Sequence, residues 1–402
     1  MVIPSYWARE SNIGWKNGDA VYDHPTPLDM EGTLLRAIQS IEILKDKDFR
    51  LVIIAIATSE DIESKVEEKV ANIIKSTSST AVEILLFGPS KLKQVHNLFI
   101  REGKKEYIDL LKLRGYPNIR NLCIFIPHIL GSDAAVLIDD DEVFEDPEFI
   151  SKSKEFIGKN IGGKTVNGVA GYYLQPDGEY HLKKIFHPWM KYWKQHDRMN
   201  EAFDKVIGTE PRLKETPFVF GGNMIIHRDL FAVVPFDPNI TRGEDIDYLI
   251  NSRMFGFTFF LDNQLSIKHL PLPRAYPTWL QLREDIYRFV YERSKIERQK
   301  EVKKMIRVYP EDFDPYPGYF LKKDLEEKIE KSCKLLSEEY LAKGDIKGSR
   351  ESLNNIAISK TDAIPKFDAF QYICKMQNRW QKFMEYSNRK GVRMKIKEVI
   401  TI

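Results

Sequence analysis

Strand-like and helix-like segments alternate from residue 31 to residue 139, and this alternation restricts the fold more than any other feature of the chain. "EGTLLRAIQSIEIL" sets Leu34, Leu35, Ile38, Ile41 and Leu44 on one helical stripe. "RLVIIAIATS" follows as a run of β-branched residues of the kind that is buried on both faces. "EDIESKVEEKVANIIKS" places Ile62, Val66, Val70 and Ile73 on a second stripe, with acids in the first turn where the helix dipole favours them. A strand at "AVEILLFG", a helical stretch from about Lys91 to Leu113 and a strand at "AAVLID" complete the series. This spacing predicts right-handed βαβ units: an α/β fold with a mostly parallel sheet and helices on both faces.

Beyond Asp146 the pattern changes. "VNGVAGYYL", "FVFGGNMIIH", "FTFFLD" and "LSIKHL" read as four strands. From Pro277 onward the chain is helical and densely charged, which divides it into residues 1–275 and a helical C-terminal region, 276–402. There Leu325, Ile329, Cys333, Leu336 and Tyr340 form one stripe, a surface for packing on the core or for pairing two copies. "SKIERQKEVKKMIR" reads as a solvated basic helix face. In "HPWMKYWKQHDRMN", Trp189 and Trp193 offer either a sugar-stacking face or core packing, and His187 and His196 read as incidental.

The bulk numbers exclude several classes. With 61 basic and 59 acidic residues the formal charge is +2, which gives no footing for nucleic acid or a membrane surface as the main partner. Cys123, Cys333 and Cys374 are scattered, with no CxxC pair, so no disulfide framework or zinc site is expected and a reducing compartment fits. The first residues lack the apolar core of a signal peptide, and no apolar run approaches the roughly 18 residues of a membrane span. The expectation is a soluble cytoplasmic protein.

Chemistry concentrates in two acidic stretches. "AAVLIDDDEVF" runs an apolar strand into Asp139, Asp140 and Asp141, at the strand end where open parallel sheets bind ligands. In an extended segment Asp139 and Asp141 share a side and Asp140 points elsewhere; two hard oxygen ligands suit Mg²⁺ or Mn²⁺. A solvated acidic loop is the plainer alternative. "RGEDIDY" then crowds Glu244, Asp245 and Asp247 at a helix start, more carboxylates than capping requires, and one of them can serve as a general base. His269, at a strand end, is a donor for the same metal.

Together these stretches resemble the nucleotide-sugar glycosyltransferases of the GT-A fold, most closely the broad family 2 group, over roughly residues 18–273. "DHPTPLDMEGTLLRAIQSI" is similar to the family's opening block, "SDAAVLIDDDEVF" to its D-x-D block, "FGGNMIIHRDLFAVVPFD" to its acceptor-side block, and "EDIDYLINSRMFGF" with His269 to its E-D motif and distal histidine. The resemblance implies a metal-dependent transferase moving a hexose from a nucleotide diphosphate sugar to a hydroxyl on a sugar, small-molecule or lipid-linked acceptor. It implies Pro25, Thr26, Arg120, Asp139, Asp140 and Gly222 as nucleotide-sugar contacts. Asp139, Asp141 and His269 would hold Mn²⁺ or Mg²⁺, and Asp245, supported by Glu244, would be the base of an inverting displacement.

The chain departs from the family pattern at "IIAIATSED", where Ala57 stands in place of a base-reading aspartate, with Thr58, Glu60 and Asp61 just beyond. Cys123 stands where a glycine is usual. A retaining GT-A synthase and a nucleotide-sugar-binding module without catalysis are the alternative readings. A nucleotidyltransferase would need a glycine-rich phosphate loop, which "VYDHPTPLDMEG" lacks.

Overall fold

The computed structural model describes residues 1–77, 81–183, 186–273 and 276–401. Its strands are β1 (Val2–Ala8), β2 (Thr26–Pro27), β3 (Leu51–Ala57), β4 (Ile84–Phe87), β5 (Ala134–Ile138) and β6 (Glu142–Val143), followed by β7 (Asn160–Ile161), β8 (Lys164–Leu174), β9 (Leu213–Glu215), β10 (Asn223–His227) and β11 (Thr258–His269). Along the sheet the order is β4-β3-β1-β5-β10-β8-β11-β6, with β2 on β1, β7 on β8 and β9 on β11. β4, β3, β1 and β5 are mutually parallel; β10 runs against both β5 and β8, and β11 is parallel to β8. This is the expected fold class: a mostly parallel α/β sheet followed by helices.

Strand periodicity explains why both faces are covered. In β3, Val52, Ile54 and Ile56 enter one core while Leu51, Ile53, Ala55 and Ala57 enter the other; in β1, Val2 and Tyr6 separate from Ile3 and Trp7 in the same way. Helices Leu34–Ser40 and Glu63–Ser76 seal the second core through Leu34, Ile38, Val66 and Val70. The first core is thicker. Helix Tyr116–Leu130 is apolar nearly all round because it lies between two layers, the sheet and the C-terminal helices. Phe125 stacks on Phe383 of helix Ala369–Ser387 with ring centroids 5.1 Å apart, so Phe125→Ala is expected to cost about 3–5 kcal/mol.

Several sequence expectations are corrected. Sequence reading passed over β1, an interior strand between β3 and β5; Thr26 and Pro27 only extend the sheet beside Trp7 and Ala8. "FTFFLD" and "LSIKHL" are one strand, β11, with a register irregularity between Leu261 and Ser266. The stretch from Lys91 to Leu113 is a helix, Pro89–Arg101, and then a short 3₁₀ turn, Lys105–Leu110. Lys295 is fully buried against Asp247 and Asp237 rather than solvated, because two carboxylates of the first region neutralise it there.

The stripe of helix Leu325–Ala342 faces inward: Leu325, Ile329, Cys333 and Leu336 are buried in the first core. That core draws on residues from Val2 to Ile400 and so joins the two expected regions; the boundary residue Ala275 lies outside the described residues. No helix among the described residues is long and apolar enough to cross a membrane.

Candidate active site

A cavity of about 420 Å³ opens at the carboxyl ends of β1 and β5, where a parallel sheet leaves strand-end groups uncovered. Asp139, Asp140, Asp141, Arg120, Glu244, Asp245 and His269 all line it. These residues are separated by up to 149 positions in sequence, and the topology gathers them at one place.

The three aspartates occupy a tight turn rather than an extended segment. The N–H of Glu142 donates to the carbonyl of Asp139 at 3.3 Å, and the N–H of Asp139 donates to Glu142 Oε2 at 3.0 Å. Asp140 is turned toward β1, where its Oδ2 accepts from Ser5 Oγ at 2.6 Å. Pairing of β6 with β11 sets His269 opposite Glu142, and this brings His269 Nε2 to 3.3 Å from Asp141 Oδ2. Asp139 Oδ1 instead accepts from Arg120 Nη2 at 2.9 Å.

Each acid meets a different fate. Burial pushes Asp141 up, but the hydrogen bond and charge of His269 outweigh it and hold the carboxyl below its ordinary value. Burial raises Asp139 against the opposing charge of Arg120. Asp140 and Glu142 are driven well above their usual range by burial and then by the neighbouring carboxylates. The acidic run thus meets one guanidinium, at Asp139, and one imidazole, at Asp141.

Arg120, on the Tyr116–Leu130 helix, ties the two acidic stretches together. Its Nε donates to Glu244 Oε1 at 3.0 Å, and its Nη1 is buried with no hydrogen-bond partner among the described residues. Glu244 is pushed up to about 7 by burial, against the pull of Arg120. Asp245 follows at the start of helix Glu244–Met254; its Oδ2 accepts from the N–H of Gly221 at 2.9 Å and its Oδ1 from the N–H of Ile246 at 2.8 Å. Gly243 enters this helix at φ +70°, a conformation that glycine adopts without strain. Gly222 does not line the cavity but supports its floor: a Cβ there would meet Glu142 Oε1 and lie 2.7 Å from Asp139 Oδ2.

No family model matches the chain, and no curated protein does. Among solved structures, it is similar to the mannosyltransferase PcManGT from Pyrobaculum calidifontis, solved with GDP-Man and Mn²⁺. That match has a TM-score of 0.45 and 11% identity over 96% of this chain and 85% of the other. A mycobacterial protein matches at a TM-score of 0.36 and 15% identity, over 72% of this chain and 73% of its own. GalNAc-T7, solved with UDP, GalNAc and Mn²⁺, matches at 0.35 and 13%, over 73% of this chain and 51% of its own. These likenesses concern fold alone.

Pro25 and Thr26 lie outside the lining; Asp23 and His24, just upstream, form the wall instead. Thr58, Glu60 and Asp61 are also absent from it, Asp61 being engaged by Arg9 Nη1 at 2.6 Å. Trp193 is core, packed on Phe289 and Phe320, whereas His196 reaches the cavity. Sequence reasoning missed Tyr6, Tyr116 and Arg242. It also missed Arg288 and Tyr316, which the C-terminal region contributes. His24, beside the Pro-Thr pair, was missed as well.

Proposed function

We propose that the chain is a divalent-metal-dependent glycosyltransferase of GT-A type, moving a hexose from a nucleotide diphosphate sugar to a hydroxyl acceptor with inversion. One observation carries this reading: a single cavity at the strand ends holds the Asp141–His269 pair, the partly unpartnered Arg120 and the Glu244–Asp245 pair together. A binding module has no need of a carboxylate pair facing a cation-binding pair.

The donor set fits Mn²⁺ or Mg²⁺. Two ligands of one octahedral ion with bonds of about 2.1 Å stand about 3 Å apart, and the observed Asp141–His269 separation is 3.3 Å. Among the described residues no three His, Cys, Asp or Glu side chains converge as a metal-holding group, so the set Asp139, Asp141 and His269 is not assembled as three ligands and a bound ion would need water and substrate oxygens as well. Asp141 and His269 would hold the ion, with Asp139 beside them on Arg120; when bound, it would neutralise charge on the diphosphate.

The chain's own residues do the rest. Arg120 offers its unpartnered Nη1 to a diphosphate oxygen, and Glu244 fixes the guanidinium from the other side. Asp245, steadied by two backbone N–H groups, accepts the proton of the acceptor hydroxyl. As that oxygen bonds to the anomeric carbon, the bond to the diphosphate oxygen breaks and the diphosphate leaves with the electron pair.

The test is nucleoside diphosphate release from an array of UDP-, GDP-, ADP- and dTDP-sugars with Mn²⁺. Release with at least one donor, abolished in Asp141→Ala, is expected; no release with any donor, or undiminished release in that variant, overturns the reading.

A further inference from the structure

Where the cavity passes from the Asp141–His269 pair to Asp245, its wall turns from carboxylate to carbon. Helix Gln195–Val206 presents Met199 and Phe203, one turn apart on the same face. Leu182 lies beside them, its backbone N–H and C=O both bonded to the Asn200 amide, at 2.8 and 3.0 Å. Leu182 and Met199 are half-buried and line the cavity. Phe220 completes the face: it is 8% exposed, and the more deeply buried Phe203 and Phe218 brace its ring at centroid distances of 5.1 and 5.5 Å.

This apolar face reaches the reacting groups on both sides. The residue after Phe220 is Gly221, whose N–H donates to Asp245 Oδ2 at 2.9 Å. In the other direction the Phe220 ring is 4.7 Å from Tyr173, which stacks on His269 at 5.0 Å. A molecule that brings a hydroxyl to Asp245 therefore sets its next atoms against Leu182, Met199 and Phe220.

The polar groups nearby are already engaged. Gln195 Oε1 accepts from Trp193 Nε1 at 3.1 Å, and Tyr316 Oη accepts from Arg288 Nη1 at 3.3 Å. Arg288 is 3% exposed and its Nε donates to Glu292. Gln281 and His196 have partners as well, and Gln175 adds a single amide. A polyol laid on this face would leave several hydroxyls without partners, which disfavours it, whereas carbon placed there gains by leaving water.

We propose that the acceptor is an alcohol whose reacting hydroxyl is borne by an apolar skeleton, seated on Leu182, Met199 and Phe220 with its oxygen at Asp245; this names the acceptor class of the transferase reading above and rests on it. The step is the one already written: the alcohol oxygen bonds to the anomeric carbon, its proton passes to Asp245, and the diphosphate leaves with the electron pair. An alkyl chain and an aryl ring share this chemistry, and the experiment separates them.

The wild-type chain, with Mn²⁺ and whichever nucleotide sugar it hydrolyses, is offered ethanol, butanol, hexanol and octanol, then benzyl alcohol, then glycerol and methyl glucoside. Products are identified by mass spectrometry. Each methylene buried on the face is worth roughly fourfold in affinity. From ethanol to hexanol kcat/KM is thus expected to rise at least tenfold, and hexanol to exceed both polyols by at least tenfold. Hexanol above benzyl alcohol assigns an alkyl skeleton, and the reverse order an aryl one. Met199→Gln and Leu182→Gln are expected to raise hexanol KM roughly tenfold with a smaller change in kcat and with glycerol KM within threefold. Met199→Leu is expected to keep the wild-type KM. Should the glutamine variants fail to fold, the wild-type series still decides.

Equal or better transfer to glycerol or methyl glucoside overturns the inference, and so does a kcat/KM indifferent to chain length. A hexanol KM unmoved in both glutamine variants overturns it too, as does donor hydrolysis with transfer to none of the alcohols. Absence of donor binding and hydrolysis altogether is a different failure, that of the transferase reading itself.

Discussion

Arg120→Met removes the cation that joins the two acidic stretches while keeping most of the side-chain volume. The guanidinium is 3% exposed and lies 2.9 Å from Asp139 and 3.0 Å from Glu244. Removing one partner of a buried ion pair typically costs about 3–5 kcal/mol, because the remaining charge is left unmatched. The pH sign follows from the carboxyls. Burial already holds both above their ordinary values, Glu244 at about 7, and Arg120 opposes the rise. Without it both rise further, so the folded variant binds protons more tightly than the unfolded chain over a wider range. The deficit is therefore full only above the variant's further-raised carboxyl values and shrinks as pH falls through them toward about 7, the wild-type value for Glu244. Urea unfolding at pH 8 should show a loss of about 3–5 kcal/mol, and at pH 5.5 a smaller loss. A loss under about 1 kcal/mol at pH 8 would refute the bridging role, as would equal losses at the two pH values.

Three further outcomes are expected. Gly222→Ala drives a methyl into Glu142 and Asp139 and should cost about 1–3 kcal/mol in thermal or urea unfolding, with a weaker Mn²⁺ affinity in the same protein. Glu292 is raised to about 7 by burial, so its contribution is greatest below the unfolded value near 4.5 and is lost as pH rises to about 7. Relative to Glu292→Gln, the wild type should lose roughly 3 kcal/mol across that window; a pH-independent difference would contradict the assignment. Asp245→Asn should lower kcat by about 10²–10⁴ while calorimetry shows donor affinity within threefold of wild type.

Much of the fold was legible because strand periodicity and helix stripes are local. β3 and the Val66–Val70 stripe sit where their patterns place them. β1 was not legible as an interior strand: "VIPSYWA" contains a proline and a serine, and its burial is decided by β3 and β5 on either side. The acidic turn and the "GEDIDY" helix start were visible as anomalies of charge, and the structure brings them to one cavity through Arg120. His24, Arg288 and Tyr316 left no comparable mark. A histidine in a loop, an arginine on a charged helix and a tyrosine among prolines are ordinary in sequence, and only tertiary packing brings them to Asp141 and Asp245.

Electron paramagnetic resonance of Mn²⁺ titrated into the protein with GDP or UDP probes the metal pair at the strand end most directly. One saturable site is expected in the wild type, lost or weakened at least tenfold in Asp141→Asn and in His269→Ala. Unchanged Mn²⁺ binding in both variants would contradict the account.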